Sequence, residues 1–306
     1  MQVQASPRFS DLLQEVERFW TPLPDKPEET PERLLSALWS TACGAPVSAE
    51  RARQASLPAL DDASLERLRE LIERRKSGAP LAHLTQRQSF LGLELLASAE
   101  ALIPRKETEI LGRAALAKIG CMAKKRGELL VVDVCTGSAN LALAYAYYEP
   151  LARVYASDLA PEAVELARRN AKFTGLAERV ELRVGDLLEP FDNGEIVGRC
   201  DFLSCNPPYI STSKVKEMHP EISRHEPEAA FNGGAFGVSI LMKLIKQAPR
   251  FLRPGGWLAF EVGHGQGPGM ARQLERNPAF AGVETYADPG GGIRAILAKS
   301  RPVAAA

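Results

Sequence analysis

The chain has 306 residues, enough for one large domain or two ordinary ones. Its 38 Lys and Arg balance 38 Asp and Glu, so the whole-chain charge signature of a nucleic-acid binder is absent, although a local basic patch remains compatible. No apolar run is long enough for a bilayer, the first seven residues show no cationic-then-apolar leader, and the five cysteines lack C-x-x-C spacing; together these predict a cytoplasmic protein with free thiols and no membrane span.

The first part reads as helical. Thr30 and Pro31 are a cap and a first helical position, and Gly44 lies just past the helix they open. Leu65, Leu68, Leu71 and Ile72 recur at helical spacing, with charges from Glu66 to Lys76 on the other face and Gly78 as the stop. Pro22, Pro24 and Pro27 separate the first two helices. Alternation from Ser89 to Leu95 around Gly92 predicts a hairpin. These signals place a helical domain at 1–86, a β-hairpin linker at 87–104 and a larger domain at 105–306. The helical part is expected to recognise an acceptor, with the linker letting it lie over a pocket.

Beyond the linker, strand-like runs at 129–134, 154–157, 180–184, 202–204 and 257–262 alternate with helical ones, notably 161–171 and 240–251. Such alternation predicts an α/β fold, a doubly wound and mostly parallel sheet. Two further strands, 283–286 and 293–299, follow with no helix between them and predict an antiparallel hairpin at one edge. The only low-complexity tract is Ala304-Ala305-Ala306.

The buried-strand pattern of Cys200 to Cys205 runs into Asn206-Pro207-Pro208-Tyr209. Neither proline can donate to a sheet, and Asn206 precedes a proline, so the strand must end in a stiff turn. In open α/β sheets ligands bind at the carboxyl ends of strands. Asn206 offers a carbonyl acceptor and an NH2 donor. The freed backbone carbonyls, Pro207's among them, offer more acceptors, and Tyr209 offers an electron-rich face. The set suits a planar NH2 group, either an amide or an exocyclic base amine. A rigid surface loop is the plain alternative.

A second turn, Asp133-Val134-Cys135-Thr136-Gly137-Ser138-Ala139-Asn140, joins the first strand of the larger domain to a helix beginning near Leu141. Its small residues permit close backbone approach to a ligand. Asp158 ends the next strand, about 20 residues on, where a carboxylate can bond ribose hydroxyls. Asp186 ends the third strand, where it can accept from an adenine amino group. Three polar groups at three successive strand ends suit an adenosine-bearing cofactor. Singly, each is equally a solvated loop carboxylate or a structural turn. His219, His225 and His264 lack metal-ligand spacing and read as loop histidines, so no metal is expected. Glu107 and Glu109 read as a helix-start cluster, with a pocket-rim role as the second reading.

This constellation resembles the class I S-adenosylmethionine-dependent methyltransferases, specifically the protein-glutamine methyltransferases of the HemK/PrmC type. The resemblance rests on Asn206 to Tyr209 and on spaced blocks in family order. These are Arg75 to Thr85, Phe90 to Leu93 and Leu102 to Glu109. They continue with His225-Glu226-Pro227, Gly233-Gly234 with Gly237, Glu261-Val262-Gly263 with Gln266-Gly267, and Asp288, Gly291 and Arg294. It implies a seven-stranded methyltransferase sheet and S-adenosylmethionine held by Asp133, Thr136, Gly137, Ser138, Asp158, Leu159, Asp186, Leu187 and Asn206. It further implies Asn206, Pro207 and Tyr209 as the catalytic set, with Tyr209 against the substrate plane or the cationic methyl region. A peptide-release factor, through the glutamine of its Gly-Gly-Gln loop, is the implied acceptor.

Ala139 stands where the family's turn usually has glycine, as does Cys135, and Pro289-Gly290-Gly291-Gly292-Ile293 replaces a more charged stretch. These departures bear on the acceptor more than on the cofactor. They keep open a tailoring enzyme for a small-molecule amine or amide. A nucleic-acid amino methyltransferase is disfavoured by the zero net charge, and a non-catalytic cofactor-binding module by the intact Asn206 to Tyr209.

Overall fold

The computed structural model describes residues 7–234 and 237–301. The readings of residues 1–6 and of Ala304 to Ala306 lie outside them. The chain divides into two compact units. One comprises the first 99 residues with 103–106 and 219–226; the other comprises 100–102, 107–218 and 227 onward.

The first unit packs α1 (Pro7–Phe19), α2 (Pro31–Ala42), α3 (Ala49–Ala52), α4 (Asp62–Lys76) and α5 (Leu81–Thr85) around Leu34, Leu35, Leu38, Trp39, Leu68 and Ile72. Thr30 caps α2 through the Arg33 N–H, with Pro31 at the first position. Asp61 accepts from the Ser64 N–H at 2.7 Å and caps α4. The hairpin follows as β1 (Arg87–Phe90) and β2 (Leu93–Leu96), antiparallel with Phe90 opposite Leu93. Leu91 and Gly92 both take positive φ, 47° and 81°, as a tight two-residue hairpin turn requires.

Residues 219–226 complete this unit through buried ion pairs. Glu221 accepts from Lys26 and from Arg75, the latter at 2.6 Å. Glu226 accepts from Arg105 at 2.5 Å and from the Ile103 N–H at 2.9 Å. Within this stretch lies α10 (Pro220–His225), which follows α9 (Thr212–Val215). His219 and His225, expected in loops, sit instead at the ends of α10, where His219 Nδ1 accepts from the Glu221 N–H at 3.3 Å.

The second unit carries a seven-stranded sheet. It begins with α6 (Thr108–Arg126), β3 (Leu129–Val134), α7 (Asn140–Tyr148), β4 (Ala152–Asp158), α8 (Pro161–Phe173), β5 (Val180–Val184) and β6 (Cys200–Cys205). It continues with α11 (Ser239–Phe251), β7 (Leu252–Glu261), α12 (Gly267–Glu275), β8 (Phe280–Ala287) and β9 (Ile293–Ser300). The strand order is β5-β4-β3-β6-β7-β9-β8. The first five of these pair in parallel, and β9 is antiparallel to both neighbours, so the edge hairpin is present as expected. The apolar runs of β3, β6 and β7 are buried almost throughout, as central strands covered on both faces must be.

From β3 the chain winds outward through β4 and β5, then returns to β6 on the other side of β3. That reversal opens a crevice between the ends of β3 and β6. Val134 pairs with Cys205, so the turn after β3 and the Asn206 turn after β6 start side by side.

Candidate active site

The turn after β3 is wound by three left-handed residues, Cys135 (φ 55°), Gly137 (φ 54°) and Ala139 (φ 65°), alternating with Thr136 and Ser138. The winding spends the N–H groups of Thr136, Gly137 and Ala139 inside the protein, on the Ser157 carbonyl, Asp158 and the Thr136 carbonyl, and leaves a concave turn of small residues that a ligand can approach closely. Asp133 lies beneath it, fully buried. Its carboxylate accepts from Thr136 Oγ1 and from Ser204 Oγ, each at 2.6 Å, which ties β3 to its own turn and to β6. Burial pushes the Asp133 carboxyl up to about 7, against the lowering effect of those two hydroxyls.

Asp158, half-buried at the end of β4, accepts from the Gly137 N–H at 2.8 Å and from the Ala160 N–H at 3.0 Å. Its burial also raises its pKa, while the backbone N–H bonds oppose the shift. A carboxylate has about four lone-pair sites, and the Leu159 N–H also approaches this one, which leaves room for a ribose hydroxyl. Beside it Leu159 is 67% exposed. An exposed leucine adjoining a carboxylate and a polar cradle is the apolar surface that a purine ring would cover. Asp186, expected near an adenine amine, pairs with Lys243 at 2.5 Å, and Leu187 follows it with φ 52°.

The turn after β6 is held from several sides. Asn206 Nδ2 donates to Thr108 Oγ1 at 3.2 Å. Tyr209 donates its phenolic proton to Glu107 at 2.7 Å, and Arg294 reaches Glu107 at 2.7 Å while lying over the Tyr209 ring. Burial and the charges of Glu261 and Glu107 raise the Tyr209 pKa far above its ordinary value, so it is a neutral phenol. The Gln266 side chain accepts from the Gly263 N–H and donates to the carbonyls of Tyr209 and Gly237. Gly233 and Gly237 let the backbone close on this turn: a Cβ on Gly237 would stand 2.1 Å from the Tyr209 carbonyl, and one on Gly233 2.4 Å from that of Pro208.

The structure thus gathers Asp133, Thr136, Gly137, Ser138, Asp158 and Leu159 around the β3 turn, and Asn206, Pro207 and Tyr209 around the β6 turn. Glu107 stands at the N-cap of α6, the expected helix start, makes no side-chain cap bond there and turns its carboxylate to Tyr209. Thr108 and Gln266 belonged to quoted sequence blocks without an assigned contact. Nothing local in the sequence reveals such partners.

Known proteins resemble this chain in sequence and in fold. Residues 114–238 match the family model described as the methyltransferase small domain. A release factor glutamine methyltransferase of Moorella thermoacetica is 36% identical over 242 residues, covering 79% of this chain and 82% of its own. The chain belongs to the release factor glutamine methyltransferase family. The enzyme of that name in Geobacter sulfurreducens is 35% identical over 237 residues, covering 78% and 79% of the two chains. Among solved structures, the hMettl16 catalytic domain bound to the MAT2A 3'UTR hairpin 6 superposes with a TM-score of 0.54 at 15% identity, covering 78% of this chain and 84% of that one. That likeness is one of fold. This family member is therefore a class I, S-adenosylmethionine-dependent methyltransferase on an α/β sheet. Among the described residues no helix is long and apolar enough to cross a membrane, and no His, Cys, Asp and Glu group is arranged to hold a metal ion.

Proposed function

We propose that the protein methylates the side-chain amide nitrogen of a glutamine in a peptide-release factor. The observation that carries this reading is the Asn206 contact. With its NH2 engaged by Thr108, Asn206 has its carbonyl oxygen left for an N–H of the acceptor, at the mouth of the β3–β6 crevice.

S-adenosylmethionine, when bound, supplies an electrophilic methyl group on a sulfonium. The small-residue turn at 135–139 suits close approach of its methionine end, Asp158 its ribose hydroxyls and Leu159 one face of its adenine. Asp186 and Leu187 lie at the neighbouring strand end, where Asp186 would serve an adenine amine once parted from Lys243.

An amide nitrogen is a poor nucleophile because its lone pair is delocalised. Asn206 Oδ1 and the Pro207 carbonyl each accept one acceptor N–H, fixing the nitrogen and returning electron density to it. Orientation and fixed dipoles then supply most of the acceleration. The neutral Tyr209 ring, fastened by Glu107 and Arg294, bounds the acceptor plane. The nitrogen sheds its extra proton after methylation, so no strong base is needed at Asn206.

The helical unit is proposed to select the acceptor. Its 219–226 segment is continuous in sequence with the Asn206 turn on one side and with Gly233 on the other. The five free cysteines support a reducing, cytoplasmic setting. The test offers the purified protein labelled cofactor, a release factor, the same factor with its Gly-Gly-Gln glutamine replaced, and a metabolite extract. Label is expected in the intact factor and not in the substituted one. Label confined to a small molecule overturns the reading.

A further inference from the structure

Deep behind the Asn206 turn, Glu261 ends β7 with its side chain 1% exposed. Neither carboxylate oxygen has a full hydrogen-bond partner among the described residues. Arg294 approaches no closer than 3.8 Å and is already bound to Glu107. The side chains that approach Glu261 with hydroxyl protons are Thr108 and Tyr209. Tyr209 gives its proton to Glu107. Thr108, itself 1% exposed, accepts from Asn206 and has its own proton to place. A buried carboxylate in want of donors and a buried hydroxyl in want of an acceptor therefore adjoin each other.

We propose that Thr108 and Glu261 are positioning residues that fix which end of the Asn206 amide faces the acceptor. The argument is one of hydrogen-bond polarity. An ionised carboxylate only accepts, so Glu261 takes the Thr108 proton. The Thr108 oxygen must then accept, and only the NH2 end of Asn206 can donate to it. The carbonyl end is driven outward, where an acceptor N–H needs it. A protonated Glu261 reverses the chain: it donates to Thr108, Thr108 donates to Asn206 Oδ1, and the NH2 end turns out to meet the acceptor's own NH2. Two donors then face each other and the acceptor amide is not held.

The device is sensitive to pH near neutrality. Burial pushes the Glu261 carboxyl up to about 7, the Glu107 charge adds to the shift, and Thr108, Arg294 and Tyr209 oppose it. These groups come from α6 and its entry, from β9 and from the β6 turn. Methyl transfer is therefore gained as pH rises through about 7.

The proposal rests on the methyltransferase reading but is tested separately from the identity of the acceptor. Thr108→Val keeps the shape and removes the hydroxyl. Its kcat is expected to fall about 10- to 100-fold, below the loss on removing the Asn206 contact itself, with cofactor affinity unchanged. Thr108→Ser should restore most of the rate. In Glu261→Gln the limb near pH 7 should vanish from the kcat profile, since the group that titrates is gone. Rates are read on whichever acceptor takes label from the wild-type protein, so failure of the release factor as acceptor overturns the proposed function alone. The 15N-labelled side-chain NH2 of Asn206 gives a readout that needs no acceptor. Its resonance should titrate near pH 7 in the wild-type protein and not in folded Thr108→Val. A wild-type kcat profile in Thr108→Val, or an Asn206 resonance that titrates identically in both proteins, overturns the relay.

Discussion

Glu107, the residue that opens α6, accepts the phenolic proton of Tyr209 across 102 positions of sequence. Removing that bond should loosen the ring without emptying the cofactor cradle. A hydrogen bond to a charged group contributes about 1.5–3 kcal/mol. Tyr209→Phe leaves Glu107 paired with Arg294, so the fold should survive. Its acceptor kcat/KM should fall by about tenfold or more, while calorimetry finds cofactor affinity unchanged. A matching loss of cofactor affinity would move Tyr209 out of the acceptor site.

Asn206→Ala should leave the turn in place, because Pro207, Pro208, Gln266 and the glycines still define it. The methylation rate should drop by about 10²–10³, the scale of one lost preorganised contact. Asn206→Asp keeps an acceptor oxygen but adds negative charge near a sulfonium, so cofactor should bind as well or better without faster transfer. Near-native turnover by Asn206→Ala on the acceptor would return this tetrapeptide to the role of a rigid loop.

Asp158→Asn tests the cradle. The substitution preserves size but weakens every bond the carboxylate makes, including that to the Gly137 N–H. Cofactor affinity should weaken by about 10- to 100-fold, the equivalent of one charged hydrogen bond. Unaltered affinity in the folded variant would remove Asp158 from the site.

Ala139 holds a left-handed conformation that costs a residue with a Cβ about 1–2 kcal/mol. Ala139→Gly should recover roughly 1 kcal/mol of this, less the added freedom of the unfolded chain. A chemical-denaturation midpoint for the catalytic unit that moves upward meets the expectation, and a downward shift means the buried methyl packs better than its backbone strain suggests.

Asp133 gives the fold a pH signature. Its folded pKa, raised to about 7, lies above the value of about 4 for an unfolded chain. The folded state therefore holds the proton more tightly, and relative to a residue that cannot titrate, stability falls as pH rises from about 4 through about 7. Asp133→Asn should consequently gain more stability at pH 8 than at pH 5, measured by denaturation at both. An equal change at the two pH values would show that Asp133 stays ionised when folded.

The two turns of the site are legible in the sequence because their chemistry is local. Prolines forbid strand continuation at Pro207 and Pro208, and small residues at 135–139 permit close backbone approach to a ligand. The strands were legible because buried parallel strands are apolar throughout. The partners of the turns were not. Thr108 meets Asn206 across 98 positions, and Arg294 meets Tyr209 across 85. Such meetings depend on how α6, β6 and β9 assemble, which no window of residues encodes. The short α10 escaped for a related reason: at six residues it has no room for an apolar period, and the partners of its Glu221, Lys26 and Arg75, lie far upstream.

The placement of residues 219–226 makes the helical unit a discontinuous piece of the gene product. An amputation of the first 99 residues would strip Glu221 of both its cations and take away most of the unit against which 219–226 is packed. The amino-terminal stretch expressed by itself would lack the Glu221 carboxylate that Lys26 and Arg75 share, leaving Arg75 with Glu29. Grafting the helical unit from one relative to another therefore demands two inserts exchanged together, the amino-terminal stretch and an eight-residue passenger from the middle of the catalytic half. The helical unit and the loop that follows the Asn206 turn can be inherited only as a pair.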